Sequence, residues 1–220
     1  MALVPNIGFE YHVGSGWSVG GNCVFAWWKN EKKSFTQFAT YDFGSDIKTC
    51  IGKQISTPHT MNSSTVRDGY YNLWSLLNNK GNGTKTKVVK TIYDPSPVGY
   101  CVPPPAAFSA FTYTGQPSTV FEEMNVTANF YKGFNVYCNK IGSDKTKDIS
   151  GGIISIPASG YRGSNSTYVT AVEGAGMYWT VIPDNDAKMS VCMSVIVAGV
   201  LPTYQYNRTW AFAIRPVKEH

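Results

Sequence analysis

Residues 174–217, GAGMYWTVIPDNDAKMSVCMSVIVAGVLPTYQYNRTWAFAIRPV, decide how this chain is read. Both ends of the stretch have the look of a fixed framework. It is entered through Gly176-Met177-Tyr178-Trp179, and it leaves through the alternating strand Ala211-Phe212-Ala213-Ile214-Arg215. The middle is chemically miscellaneous: Thr180, Val181, Asp184, Asp186, Lys188, Met189, Met193, Thr203, Gln205 and Thr209. Catalysis requires particular side chains, whereas a mixed set held between fixed ends suits a scaffold that displays a choice of them. The expectation is a binding face. Its candidate residues are Met177, Thr180, Val181, Asp184, Asp186, Lys188, Met189, Thr203, Tyr204, Gln205, Tyr206, Thr209 and Trp210.

Composition sets the class. The 220 residues suffice for one large domain, or one domain with an added arm. Charged residues are 15% of the chain, against about 25% in an average globular protein, and Gly and Tyr are abundant. That balance suits a β- and loop-rich protein with an aromatic core rather than a helical bundle. The formal net charge is +5, yet Lys and Arg are scattered, and the densest group, Lys80 to Lys90, is interleaved with Gly, Asn and Thr as in a solvated loop. A nucleic-acid partner would want a basic stripe with stacking platforms, so none is expected. Five cysteines, at 23, 50, 101, 138 and 192, include no CxxC pair, and with three His they offer no obvious zinc ligand set. They read mostly as buried apolar thiols. No signal-peptide pattern opens the chain, and the apolar run Val191 to Leu201 is too short to span a bilayer.

Along the chain, residues 1–22 are Gly-rich and weakly patterned, Cys23 to Trp28 reads as a strand, and Phe35 to Phe43 as a second. Asp68 to Leu77 suits one or two helical turns. Val88 to Tyr93 reads as a strand leading into the proline-fixed turn Asp94 to Tyr100. The triplet Pro103-Pro104-Pro105 predicts a short helix over 105–112, since proline fits a first helical turn. Ser118 to Asn125 is ambiguous between helix and loop. Phe130 to Cys138 alternates as a strand, and Gly152 to Pro157 reads as a buried one. Few helices and many short strands make this an α+β chain.

Five ordered segments then resemble one family. Ile92-Tyr93-Asp94-Pro95-Ser96-Pro97-Val98-Gly99-Tyr100-Cys101-Val102-Pro103-Pro104 is similar to a "YDPCPVGYKVPP" signature. Tyr70 to Trp74 matches "YYNLW", Ile156 to Arg162 resembles "FPASGYR", Gly176 to Trp179 resembles "GYYWSS", and Asn207 to Val217 resembles "NRxxGFSVRPV". These mark the fimbrillin-associated, major-paralogous-type surface proteins of gut bacteria, related to C-type lectin and formylglycine-generating-enzyme folds. The ending is also similar to the variable proteins of diversity-generating retroelements, whose C-type lectin fold carries a C-terminal region mutagenised to vary a ligand-binding surface. The resemblance implies a C-type lectin-like ligand-binding domain over 51–220 with a variable region at 177–210. Residues 1–50, where it is much weaker, are an N-terminal extension or the first part of the domain. Two departures matter: Ser96 stands where the family often has Cys, and Pro216 where many relatives have its partner, so a disulfide tying the turn to the last strand is absent.

Other chemistries find little support. Pro183-Asp184-Asn185-Asp186 is the one calcium candidate, but it lacks the sugar-binding lectin patterns and reads as an ordinary turn. Cys192 has no nearby Cys for redox or copper chemistry. Glu122 and Glu123 diverge on any helix and read as surface decoration. Ser159 lacks a nucleophile elbow, and His12 and His59 sit in loop-like sequence. Tyr178 and Trp179 read as framework. Tyr204, Tyr206 and Trp210 read either as packing or as an exposed aromatic platform of the kind binding faces favour. Arg215 reads as structural.

The expected function is therefore non-enzymatic: an adhesin-type protein, with no cofactor or metal, at a pilus tip or cell surface. Its partner is a protein or glycan on a target surface, with pilus or oligomer assembly open and no direct membrane insertion. A phage tail receptor-binding protein on the virion, and more remotely a formylglycine-generating-type enzyme, are the alternatives.

Overall fold

The computed structural model describes residues 9–14, 24–27, 40–41, 61–62, 74–77, 87–92, 94–126, 133–137, 152–161, 163, 170–183, 189–207 and 210–219. In chain order its strands are β1 (Phe9–Gly14), β2 (Val24–Trp27), β3 (Thr40–Tyr41), β4 (Met61–Asn62), β5 (Tyr100–Cys101), β6 (Gly133–Tyr137), β7 (Ile153–Pro157), β8 (Ala175–Pro183), β9 (Met189–Ile196), β10 (Gly199–Asn207), β11 (Ala211–Ala213) and β12 (Val217–Lys218). Helix is limited, among the described residues, to two short 3-10 segments, Pro105–Phe111 and Phe121–Glu123. Strands in sheets with few helices place the chain in a mixed or mainly-β class.

The quoted stretch builds the centre of the main sheet, whose order is β10-β9-β8-β11-β1-β2. The apolar run Val191 to Leu201 is a hairpin: β9 turns at Val197 and Ala198 into β10, with Gly199 opposite Ile196. β11 returns parallel to β8, with Ala213 opposite Tyr178, and then pairs antiparallel with β1. The weakly patterned residues 1–22 thus supply one strand of this sheet, β1, while β2 falls within the strand expected over Cys23 to Trp28, and His12, expected in a loop, lies on β1 opposite Ala213.

Both faces of β8 are covered, which is why this part of the chain is almost continuously apolar. Alternation sends Tyr178 to one side, where it joins Met193, Val195, Val200 and Ala213 with Phe108, Phe111, Phe134 and Ile156. Met177, Trp179 and Val181 go to the other, with Cys192, Phe212, Ile214, Trp74 and Val102. The first side is closed by the Pro105–Phe111 helix, which opens with proline in its first turn as predicted and buries Phe108 and Phe111. The hairpin end is held by Ser118 and Val200, which exchange two backbone hydrogen bonds of 3.0 Å. Glycine is required beside them, because a Cβ at Gly199 would sit 2.5 Å from the Ser118 carbonyl oxygen.

Several expectations need correction. Trp74 to Leu77 is not helical: Ser75 bridges Lys90, and its hydroxyl accepts the N–H groups of Leu77 and Val89, a local alternative to helical bonding. The rest of the expected turns, 68–73, lie outside the described residues. The strand expected from Val88 shrinks to that bridge at Lys90, because the chain turns at once, Asp94 N–H donating to the Thr91 carbonyl. Of Phe35 to Phe43, Thr40–Tyr41 is strand and the remainder lies outside the described residues. Ile153–Pro157 is a strand but not a buried one. It pairs only with β6, so Ile153 and Ile154 are exposed and Ile156 alone is sealed.

Candidate functional site

The geometry of the site follows from two irregularities in the hairpin strands. β8 advances from Trp179 to Pro183 while β9 moves only from Cys192 to Ser190, so β8 bulges over Thr180–Ile182. The bulge is stitched from within. Thr180 Oγ1 donates to the Val191 carbonyl at 2.8 Å, Val181 N–H donates to the Pro103 carbonyl at 2.9 Å, and Ser190 Oγ donates to the Ile182 carbonyl at 3.2 Å. A second shift lies between Leu201 and Tyr204 of β10, where Pro202 is tolerated because the strand is at the sheet edge and locally irregular.

These stitches remove three residues from the expected face. Met177 (2% exposed), Thr180 (1%) and Val181 (2%) are core residues. Thr180 owes its hydroxyl to the bulge, and Met177 Sδ accepts the Ser194 hydroxyl. Met189 is half-buried on β9. Asp184, Asp186, Lys188 and Thr209 lie outside the described residues, and with them the calcium candidate.

What the structure does bring together is aromatic. Trp179 stacks on Phe212 with ring centroids 4.2 Å apart, and both are fully buried. Phe212 meets Tyr206 edge-on at 5.2 Å, Tyr206 meets Trp210 at 4.7 Å, and Trp210 stacks on Tyr161 at 5.1 Å. Tyr204 extends the series, 5.6 Å from Tyr206, and is 43% exposed. Tyr206 and Trp210 are half-buried: they pack into this series of rings and keep part of their surface exposed. Offset and edge-on ring pairs of this kind each add about 0.5–1.5 kcal/mol beyond burial, so the platform is stiff. Thr203 and Gln205 are exposed on the same strand, alternating with the tyrosines.

Tyr161 was not foreseen as a site residue. Its signal was an aromatic directly after Gly160, whose φ of +72° turns the chain so that Tyr161 and Thr170 exchange backbone hydrogen bonds. The described ring residues carry no formal charge, and burial, with neighbouring phenols and Cys192 adding to it, pushes the Tyr206 hydroxyl up from its ordinary value. It is a neutral donor and acceptor at physiological pH. Among the described residues, such a face can offer apolar area, hydroxyls and an indole, but no acid–base pair.

Comparison with known proteins gives no relative. No protein-family model, curated protein or solved structure matches the chain.

The proline-fixed turn is framework. Lys90 Nζ donates to the carbonyls of Ser96 (2.6 Å), Pro97 (2.9 Å) and Tyr100 (2.6 Å), and stands 3.7 Å from Glu219. Asp94 accepts N–H bonds from Ser96 at 2.7 Å and Val102 at 2.9 Å. Burial raises the Asp94 carboxyl above its usual value, and those two N–H bonds oppose the shift. In place of a disulfide, the turn is tied to the C-terminus by β5–β12 pairing, Cys101 opposite Val217, and by Glu219 N–H donating to the Gly99 carbonyl. Arg215 Nη1 caps the Ser155 carbonyl at 2.9 Å, a structural task. Cys101 and Cys192 are buried and free, while the other three cysteines lie outside the described residues. Glu123 accepts the Ser118 hydroxyl, and Ser159 Oγ is buried without a hydrogen-bond partner. Among the described residues no three His, Cys, Asp or Glu gather as a metal site, and no helix is long and apolar enough to cross a membrane.

Proposed function

We propose that this chain is a non-enzymatic binding domain of C-type lectin-like fold. It acts as an adhesin at a pilus tip or cell surface, with a ligand-reading surface diversified by a retroelement. One observation carries the reading: an aromatic ladder runs without a break from the fully buried Trp179–Phe212 stack to the exposed ring of Tyr204. A core needs no such extension. Large rings fixed by their neighbours at a surface give contact area at low entropy cost, which suits recognition of a protein or glycan. The five sequence motifs supply the fold and family expectation, and the ladder supports the reading of a binding surface.

The test is a binding screen of the purified chain on a glycan array and a panel of surface proteins, in parallel with a Tyr204→Ala/Trp210→Ala variant. A ligand of the wild type should be held at least about tenfold less tightly by the variant. Equal binding by both would sink the aromatic-face reading. Diversification is tested at the gene. A near-identical repeat of its 3′ end, differing at adenines beside a reverse transcriptase, is expected. Its differences should fall on exposed positions such as Thr203, Tyr204 and Gln205 and spare Met177, Thr180 and Val181. Changes concentrated on those buried three would contradict the assignment.

A further inference from the structure

On the reading of the aromatic rings as a binding face, their arrangement narrows the class of occupant. Tyr204 and Tyr206 stand at 56° to each other with ring centroids 5.6 Å apart, and Tyr206 and Trp210 at 52° and 4.7 Å. Rings tilted in succession make a ridged surface rather than a common plane. Tyr204 is exposed, whereas Tyr161, Tyr206 and Trp210 are half-buried, so these three present strips and edges instead of whole faces. A pyranose stacks flat on a whole ring face, and among these rings only Tyr204 comes near to offering one.

The same rings carry directed donors. The hydroxyls of Tyr161, Tyr204 and Tyr206 and the indole N–H of Trp210 donate to no described residue. Burial, and then the neighbouring phenols of Tyr161 and Tyr204, raise the Tyr206 hydroxyl, so both phenols lie within electrostatic reach of it. The backbone beside them is a poor template. β10 is the sheet edge, but Ser118 already bonds it at Val200, Pro202 has no N–H, and the register shifts between Leu201 and Tyr204. An added strand would meet a broken ladder there, which leaves the contact to side chains. A polyproline II segment matches both features. Lacking internal hydrogen bonds, its carbonyls are open to donors, and its proline rings recur on one side at about three residues per turn. Its shape is set before binding, so little ordering entropy is lost. We propose that this face binds a proline-rich segment of a protein partner, its proline rings against Tyr204, Tyr206 and Trp210 and its carbonyls on the phenol hydroxyls and the indole N–H.

Calorimetric titration of the full chain with decaproline, a Gly-Ser decapeptide, maltohexaose and cellohexaose tests this. Decaproline should bind, and the flexible decapeptide and both sugars should not. Tyr204→Ala should weaken decaproline about tenfold. Tyr206→Phe, which keeps the ring and removes one donor, should weaken it about threefold with the circular dichroism spectrum intact. Absence of decaproline binding would overturn the proposal and leave the aromatic face standing. A sugar that binds wild type and is lost in Tyr204→Ala would also overturn it, with a glycan as the occupant of the same face. Decaproline held equally by wild type and Tyr204→Ala would sink both the proposal and the aromatic-face reading. The wild-type titrations separate the ligand classes even if a variant fails to fold.

Discussion

The two faces of the main sheet end differently. On the Tyr178 side, apolar packing stops where the Pro105–Phe111 helix and the β6–β7 pair cover it, and the cluster from Phe108 to Ala213 is sealed. On the Trp179 side, one end is sealed by Trp74 and Val102 beneath the Lys90-braced turn. The other runs out through Tyr206 and Trp210 to Tyr204. One strand, β8, feeds both faces by simple alternation, so the contrast lies in what covers each face. A sealed face does no more than hold the fold, while a face whose packing continues to the surface also presents something rigid there.

The hardest blow to this contrast is Trp179→Ala, which empties the buried root of the ladder. Truncating a fully buried tryptophan should cost about 3–5 kcal/mol, read as a shift in the urea midpoint. Ligand affinity should fall in addition, because Tyr206 and Trp210 lose the stack they lean on. Phe134→Ala on the sealed face should cost about 3–4 kcal/mol and leave affinity unchanged once the folded fraction is allowed for. Equal loss of affinity in the two variants would erase the distinction between the faces.

The sealed end of the Trp179 side depends on Lys90. Lys90→Met keeps the apolar stem but removes the ammonium donor from the carbonyls of Ser96, Pro97 and Tyr100, leaving Pro97 with the Tyr100 N–H, at an expected cost of about 2–3 kcal/mol. Faster hydrogen exchange should appear first at the N–H groups of Tyr100 and Val102, which the turn holds. Uniform acceleration across β8 and β9 instead would show that the turn is not a separable clamp.

How much of this was legible in the sequence depended on whether side-chain chemistry reported burial. Alternation at Ala211–Ala213, proline ahead of the 3-10 helix, and the framework role of Tyr178 and Trp179 were readable, because apolar periodicity and proline geometry act locally. Thr180 misled, since a hydroxyl suggests a surface but here closes the bulge over Thr180–Ile182. Val181 and Met177 misled with it, because a chemically mixed run looks the same whether it is displayed or packed against β9. Lys90 was lost in a lysine-rich run that reads as solvated, although three carbonyls and Glu219 surround its ammonium. Tyr161 could not be placed beside Trp210 without the fold, as 49 positions of chain separate them. Of the N-terminal strands, β1 carries a weak pattern of its own and is specified by the β11 edge it pairs with, while β2, readable from its apolar run, adds to β1.

A milder probe of the sealed end is pH. Cys101 is buried in the turn's strand, and its thiol is raised from 9.0 to about 11, so the folded protein holds a proton that the unfolded chain releases sooner. The associated stability is fully present below pH 9 and is lost as pH rises through 11, amounting to about 1 kcal/mol at pH 10. Cys101→Ala should flatten that part of the stability–pH curve relative to wild type. An unchanged slope between pH 9 and 11 would show that the thiol is not the group responsible.

The smallest expected change in stability carries the largest consequence for binding. Tyr204 is 43% exposed and, among the described residues, forms one ring pair, with Tyr206. Tyr204→Ala should therefore shift stability by no more than about 0.5 kcal/mol, the range of surface substitutions. If the ladder exists to present that ring, affinity for the ligand should still drop by about tenfold, and Tyr204→Phe should recover most of it when the contact is through the ring face. If it recovers none, the hydroxyl makes the contact and the platform acts by hydrogen bonding. A Tyr204→Ala variant that destabilises the fold by 2 kcal/mol or so would mean that the ladder's open end is packing after all, and the two faces of the sheet would then differ only in degree.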